Sequence, residues 1–260
     1  MQMQLSKIEK EFIDTYKIPS SALLNAEGIR RKDYEIICKD KDIPFVYNTT
    51  PCKKHGHRLR TRRGHCMICN PGALLRYKQY LTKDDKQNSS FNYSIPNKFN
   101  GDFVAVDFET ATSERNSICA VGIVEVKKYK FVNKLYLLVQ PPCNKYWKKY
   151  TKIHGINETH TCNESHFDKH WDNISKYFKN KHVVAHNANF DLGCLNNTLN
   201  LYGLNLPKMT QNCTYKIYKE RLVNLCKRHK IKINHHNALS DAEACAKLYI
   251  MHLKNSLNSL

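Results

Sequence analysis

The chain has 260 residues, 41% hydrophobic and 25% charged, an ordinary soluble composition that allows one full domain and one small one. Its start lacks a basic segment followed by an apolar core, and no apolar run is long enough to span a bilayer, so a cytoplasmic protein without a membrane partner is expected. The net charge of +19 points to a polyanionic partner, with a lysine-rich coding bias and a solvated basic surface as the plainer alternative.

Eleven cysteines in such a compartment read as thiols or metal ligands rather than as a disulfide framework. Cys119, Cys194, Cys226 and Cys245 fall within strand or helix patterns and read as small core residues.

In chain order, Ser6 to Tyr16 places Ile8, Phe12, Ile13 and Tyr16 at helical spacing. Ser20 or Ser21 then caps a short apolar helix ending near Gly28, and a further helical stretch runs through Cys38. These helices are too short to be stable alone and are expected to pack on one another and on the unit that follows. That unit, about residues 50–72, contains Cys52-x2-His55, ten residues, and Cys66-x2-Cys69. Two tight two-ligand hooks offering three thiolates and one imidazole suit a closed, structural Zn²⁺ site. His57 and His65 are alternative partners for the cysteines, and a redox Cys-x2-Cys would need a thioredoxin-like setting that the pattern lacks.

No Asp or Glu occurs from Ile43 to Lys83, whereas Lys53, Lys54, Arg58, Arg60, Arg62, Arg63, Arg76, Lys78 and Lys83 are basic. Such a loop suits a phosphate backbone. Tyr77, Tyr80 and Leu81 suit either nucleic acid or a protein surface. The division expected is a helical and zinc-binding domain over 1–83, a polar linker over 84–100 and a second domain over 101–260.

The second domain reads as strands Phe103 to Phe108, Ile118 to Val126 and Lys130 to Val139, helix Phe167 to Phe178, strand His182 to Ala185, helix Phe190 to Leu201, a short strand near Cys213, and helices to the end. Three meandering strands followed by alternating helix and strand give an α/β domain with a mixed central sheet flanked by helices. Its first strand carries Asp107 and Glu109 at period two, so both acids leave one face of an otherwise apolar element. Two unpaired carboxylates that close repel, and hard oxygen ligands of this kind suit Mg²⁺ or Mn²⁺ rather than Zn²⁺. Asp191 opens a later helix and Asp241 another, for which Ser240 is a candidate cap. Taken singly, either acid is explained by the helix dipole; together with His236 the set converges.

These residues resemble the DEDD exonucleases, in the histidine subtype that includes epsilon-like proofreading subunits of bacterial DNA polymerase III. Asp107 and Glu109 match the family's first motif, Asp191 its second, and Asp241 its third, with His236 five residues earlier. The tyrosine subtype would carry Tyr where this chain has Asn237. Further similarity lies in His154-Gly155-Ile156, in Phe167 to Trp171 and in Cys213-Thr214. One departure is Thr110-Ala111-Thr112 where many members have Thr-Thr-Gly, which leaves the seating of the terminal base open.

The resemblance implies a ribonuclease H-like fold and a two-metal-ion 3′ to 5′ exonuclease. Asp107, Glu109, Asp191 and Asp241 would hold two Mg²⁺ or Mn²⁺ ions, and His236 would be the general base. Nucleoside 5′-monophosphates would leave from single-stranded or frayed 3′ ends, DNA being the favoured polymer. Thr110, Ala111, His154, His186, Asn187 and Phe190 would seat the terminal nucleotide. A polymerase or repair protein is an implied partner. An RNA-trimming exoribonuclease and an inactive nucleic-acid-binding module are the competing functions.

Overall fold

The structure, a computed structural model, describes residues 3–16, 18, 20–41, 43, 45–48, 50–54, 56–62, 64–67 and 99–257. His55, Cys69 and most of the expected linker lie outside the described residues. The chain divides into two compact units, one of residues 1–86 with 200–204, the other of residues 87–199 with 205–260. Among the described residues, no helix is long and apolar enough to cross a membrane.

In the first unit, α1 (Lys7–Thr15) starts at a capping box: the Ser6 side chain accepts from Glu9 N–H, and Glu9 Oε2 accepts from Ser6 N–H at 2.8 Å. Glu9 is 2% exposed, and its other oxygen accepts the Arg58 N–H at 2.6 Å, so one carboxylate caps a helix and ties down a distant segment. The helix expected after Ser20 does not form. Ser20–Ala22 is a single 3-10 turn, and Leu23–Asn25 is strand β1, pairing in parallel with β2 (Phe45–Tyr47). Short apolar runs carry no decisive period, and here a strand partner decided the conformation. Helix α2 (Arg31–Asp40) follows β1, and β3 (Leu59–Thr61) pairs antiparallel with β2.

The second unit is built on a five-stranded sheet of order β6-β5-β4-β7-β8. β4 (Phe103–Thr110), β5 (Ile118–Lys127) and β6 (Lys130–Leu138) form the antiparallel meander, while β7 (His182–Ala185) and β8 (Thr210–Cys213) add in parallel. The helices are α3 (Lys148–His154), α4 (Glu158–Thr161), α5 (Phe167–Ile174), α6 (Ala188–Leu201), α7 (Thr214–Tyr218), α8 (Leu222–Arg228) and α9 (Ala238–Leu257). α5 stops at Ile174, short of the expected Phe178, and continues as a 3-10 turn at Ser175–Tyr177.

One face of the sheet explains where the acids stand. Ala242, Cys245, Ala246, Tyr249 and Leu253, at helical spacing on α9, pack on Phe103 and Ala105 of β4 and on Val124 and Val126 of β5. Side chains two apart share a face, so Asp107 and Glu109 continue the Phe103 and Ala105 row toward the first turn of α9. Their register partners on β5 are Gly122 and Ala120. The helix comes closest at Gly122, where a Cβ would lie 2.1 Å from the Ala238 carbonyl oxygen and 2.5 Å from Leu239 N. Only a residue without a side chain lets α9 start this close to the acids.

Gly122→Ala therefore forces backbone apart at the site. An overpacked core position costs about 1–3 kcal/mol, and the variant should unfold at lower temperature and lose divalent-ion binding. Wild-type melting and wild-type metal affinity would show that the close approach is not needed.

Candidate active site

At its far end β4 outruns β7, which pairs with it only at Val104 and Ala105. The Phe108 N–H is taken instead by Asp191, whose Oδ1 accepts it at 3.2 Å from the first turn of α6. A helix carboxylate thus replaces a missing sheet partner, and Asp191 is 2% exposed as a result.

Asp241 arrives on α9. Asn237, not Ser240, caps this helix: Asn237 Oδ1 accepts the Ser240 N–H at 3.0 Å, while the Ser240 hydroxyl accepts from Asn234 N–H at 2.8 Å. The helix begins at Ala238, two residues before Ser240, which places Ser240 inside its first turn. Asp241 Oδ2 accepts the His236 N–H at 3.1 Å and meets His235 Nδ1 at 2.8 Å. Its Oδ1 is buried with no hydrogen-bond partner.

Oxygens of Asp107, Glu109 and Asp241 all lie within 4.8 Å of one another. Asp191 lines the same cleft, of about 820 Å³, together with His186, Asn187, Phe190, His235 and His236. Burial is the main force on these carboxyls, and their mutual repulsion adds to it. Asp107 is held well above the usual carboxylate range by desolvation and then by Asp191, Glu109 and Asp241. Glu109 is pushed up to about 8 by burial, then by Asp241 and Asp191. Burial also takes Asp191 to about 8 against the opposing pull of the Phe108 N–H. Asp241 rises through burial, opposed by His235. A cluster that cannot ionise fully by itself, one of whose buried oxygens has no hydrogen-bond partner, has the donor set of a hard divalent cation.

The histidines are differentiated. The His235 and His236 rings stack with centroids 3.8 Å apart, and His236 has a left-handed backbone, φ 66°. His235 is committed to Asp241, whereas among the described residues the His236 ring has no hydrogen-bond partner. His236 is held below its usual value by burial and by His235, against the pull of Asp241, so its ring favours the neutral form. His154 accepts Ile156 N–H on Nδ1 at 3.1 Å, which leaves Nε2 to donate to the Thr110 carbonyl at 3.2 Å. His186 Nδ1 bonds Thr214 Oγ1 at 3.0 Å, and burial followed by the His235 charge lowers it to about 4. Thr110 and Ala111 are buried, Asn187 has φ 71°, and Phe190 is exposed in the cleft wall.

Several residues at the site were not anticipated. For His235 the sequence carries no signal, since the subtype spacing selects only His236. Arg115 donates to the Asn189 carbonyl at 3.2 Å and lies over the Phe190 ring at 5.9 Å. Gly122 did leave a signal, since an isolated glycine inside an apolar strand marks close backbone approach.

In the first unit, Cys52 and Cys66 are buried. Cys52 N–H donates to the His57 carbonyl at 2.9 Å, and Gly56 N–H to the Cys52 carbonyl at 2.7 Å, closing a tight turn. His57 is 1% exposed, with Nε2 3.5 Å from Cys66 Sγ and Nδ1 accepting Leu59 N–H at 3.1 Å.

Residues 104–249 match the exonuclease (RNase T) family, and the chain belongs to it. The DNA polymerase III epsilon subunit of Buchnera aphidicola subsp. Baizongia pistaciae is 30% identical over 152 residues, which are 52% of this chain and 61% of that subunit. The PolC-type DNA polymerase III of Caldanaerobacter subterraneus subsp. tengcongensis is 27% identical over 166 residues, 59% of this chain and 12% of that protein. The chain therefore spans less than two thirds of these relatives' own length. E. coli exonuclease I in complex with a dA16 oligonucleotide has a TM-score of 0.55 and 12% identity, covering 59% of this chain and 41% of that one. The nuclease domain of 3′hExo, a DEDDh family member bound to rAMP, has a TM-score of 0.51 and 14% identity, covering 61% and 94%. At these identities the likeness is one of fold, the ribonuclease H-like mixed sheet that the family resemblance implies.

Carboxyls whose folded values exceed their unfolded ones near 4 bind more protons when folded, so their contribution to stability falls as pH rises toward about 8. Metal-free protein should melt at lower temperature at pH 8 than at pH 5, with Mn²⁺ raising the melting temperature more at pH 8. Asp107→Asn should raise the metal-free melting temperature at pH 8, by about 2–4 °C per kcal/mol recovered. A metal-free melting temperature that is flat or rises from pH 5 to pH 8 would contradict the assigned repulsion.

Proposed function

We propose that the second unit is a divalent-metal-dependent 3′ to 5′ exonuclease that releases nucleoside 5′-monophosphates, with DNA as its polymer. The observation that supports this most strongly is the meeting of Asp107, Glu109 and Asp241 within 4.8 Å, in a cleft that Asp191 also lines. Asp107, Glu109, Asp191 and Asp241 would hold two Mg²⁺ or Mn²⁺ ions. When bound, such a pair neutralises the attacking and leaving oxygens of an in-line displacement and lowers the pKa of bound water.

The chain's own groups supply the remainder. His236, neutral and without a hydrogen-bond partner among the described residues, takes the proton of the attacking water. His235 holds Asp241 in orientation through Nδ1. The Phe190 ring, steadied by Arg115, offers a stacking surface for the terminal base. The DNA assignment rests on the relatives, which are DNA polymerase III proteins, and association with a polymerase or repair protein follows from the same relatives. The acids do not read the sugar, so RNA is the second arm of the test.

We extend the proposal to one structural Zn²⁺ in the first unit. Cys52 and Cys66 are buried thiols, Cys52 at the start of a tight turn that closes at His57. Because His57 accepts Leu59 N–H on Nδ1, its Nε2 carries a proton directed at the Cys66 sulfur. A protonated nitrogen is no metal ligand, so we assign His55 with Cys52, Cys66 and Cys69 as the four donors, with His65 as the alternative histidine.

On 5′-labelled single-stranded DNA and RNA with Mg²⁺ or Mn²⁺, a shrinking ladder on DNA is expected, abolished by EDTA and by Asp107→Ala. His236→Ala should keep substrate affinity while turnover falls about 10²–10⁴-fold. A ladder on RNA alone moves the activity to RNA, no ladder on either polymer rejects the nuclease, and wild-type turnover in His236→Ala rejects the base. Elemental analysis of the purified full chain should return about one zinc, lost in Cys66→Ser. A folded chain without zinc would refute the second metal site.

A further inference from the structure

Helix α3 stands beside the acids and begins at an exposed aromatic ring. Trp147, the residue before its first turn, is 42% exposed, and Ile153 is also 42% exposed. Tyr150, three residues on and therefore on the same side of the helix, meets Trp147 edge to face with centroids 6.2 Å apart. A tryptophan in water, with a half-buried tyrosine beside it, is not demanded by folding. The neighbouring Tyr146 shows the alternative, since it is buried with its hydroxyl 3.0 Å from Thr161 Oγ1.

The helix is fixed to the catalytic strand at both ends. Trp147 N–H donates to the Ala111 carbonyl at 2.9 Å, and His154 Nε2 donates to the Thr110 carbonyl at 3.2 Å. Thr110 and Ala111 directly follow Glu109. The surrounding charge has one sign: Lys148, Lys149 and Lys152 are exposed, and no Asp or Glu occurs from Lys145 to Asn157.

We infer that Trp147 and Tyr150 form a stacking platform for single-stranded DNA, receiving the bases just 5′ of the nucleotide being removed. Flat aromatic faces take any base, and the adjacent lysines pair with the phosphates between them. The platform is separate from the nucleotide-seating residues of the cleft. It specifies a single-stranded substrate, because a base must leave its partner to lie on a ring. It rests on the exonuclease reading for its polymer, but its binding can be measured without cleavage.

The test uses the full chain in EDTA, so that no bond is broken. Trp147 is exposed whereas Trp171 is 9% exposed, and these are the two tryptophans of the chain. Titration with (dT)12 should quench tryptophan emission saturably, and Trp147→Phe should remove the quenched fraction. In Mn²⁺, Trp147→Ala should lower kcat/KM on (dT)20 at least tenfold more than on thymidine 5′-(p-nitrophenyl phosphate), through KM; Trp147→Phe should restore most of it. Tyr150→Ala should act in the same direction. Absence of quenching in an enzyme that degrades DNA would overturn the platform and leave the nuclease standing. Quenching without any cleavage would keep the platform and sink the nuclease. Equal losses on the oligonucleotide and the ester would make Trp147 a structural support for Ala111 and overturn the inference. Quenching by (rU)12 and not by (dT)12, or self-association abolished by Trp147→Ala without quenching, would overturn it equally.

Discussion

Three carboxylates whose oxygens lie within 4.8 Å, with a fourth on the same cleft, cannot all be ionised in a buried site without a counter-charge. The second unit is arranged to hold them there despite that repulsion. Each acid is fixed by an element with its own reason to be in place. Asp107 and Glu109 continue a strand whose earlier residues lie beneath α9, Asp191 satisfies a backbone N–H that β7 is too short to reach, and Asp241 sits in a capped helix. Repulsion is thus opposed by apolar packing and backbone hydrogen bonding elsewhere in the domain. Such localised strain is what a metal-assisted site needs, because the ion's binding energy is released where the chemistry occurs.

The closeness of α9 to β4 depends on the smallest residues in the sheet. Along β5 the row facing α9 runs Val126, Val124, Gly122, Ala120, tapering where the helix arrives. His235 and His236 then share one carboxylate through different atoms, one by its ring and the other by its backbone N–H. The division leaves a single imidazole facing the cleft without a hydrogen-bond partner among the described residues.

Most of this domain could be read from the chain. The meander, the parallel strands and the order of acids were visible because strands with a buried face keep a strong apolar signal, and because the acid spacing matched a family. Less could be read where tertiary partners decide. Leu23–Asn25 became a strand through pairing with Phe45–Tyr47, and Asn237 displaced Ser240 as cap because the helix starts at Ala238, three residues earlier than a cap at Ser240 implies. The role of His235 could not be inferred from spacing, since it rests on a contact of its Nδ1 with Asp241 made only in the folded loop. The small unit was harder still, because a few short elements with little periodicity depend on cross-links such as Glu9 to Arg58.

The central claim is that these acids form one cation-binding nest. The most direct measurement is Mn²⁺ binding to the full chain, followed by the loss of the free-ion electron paramagnetic resonance signal in the presence of thymidine 5′-monophosphate. The account predicts saturable binding at about two ions per chain, abolished by Asp107→Ala and by Asp241→Ala in protein that is still folded. Absence of binding, or binding that survives both substitutions, would contradict it.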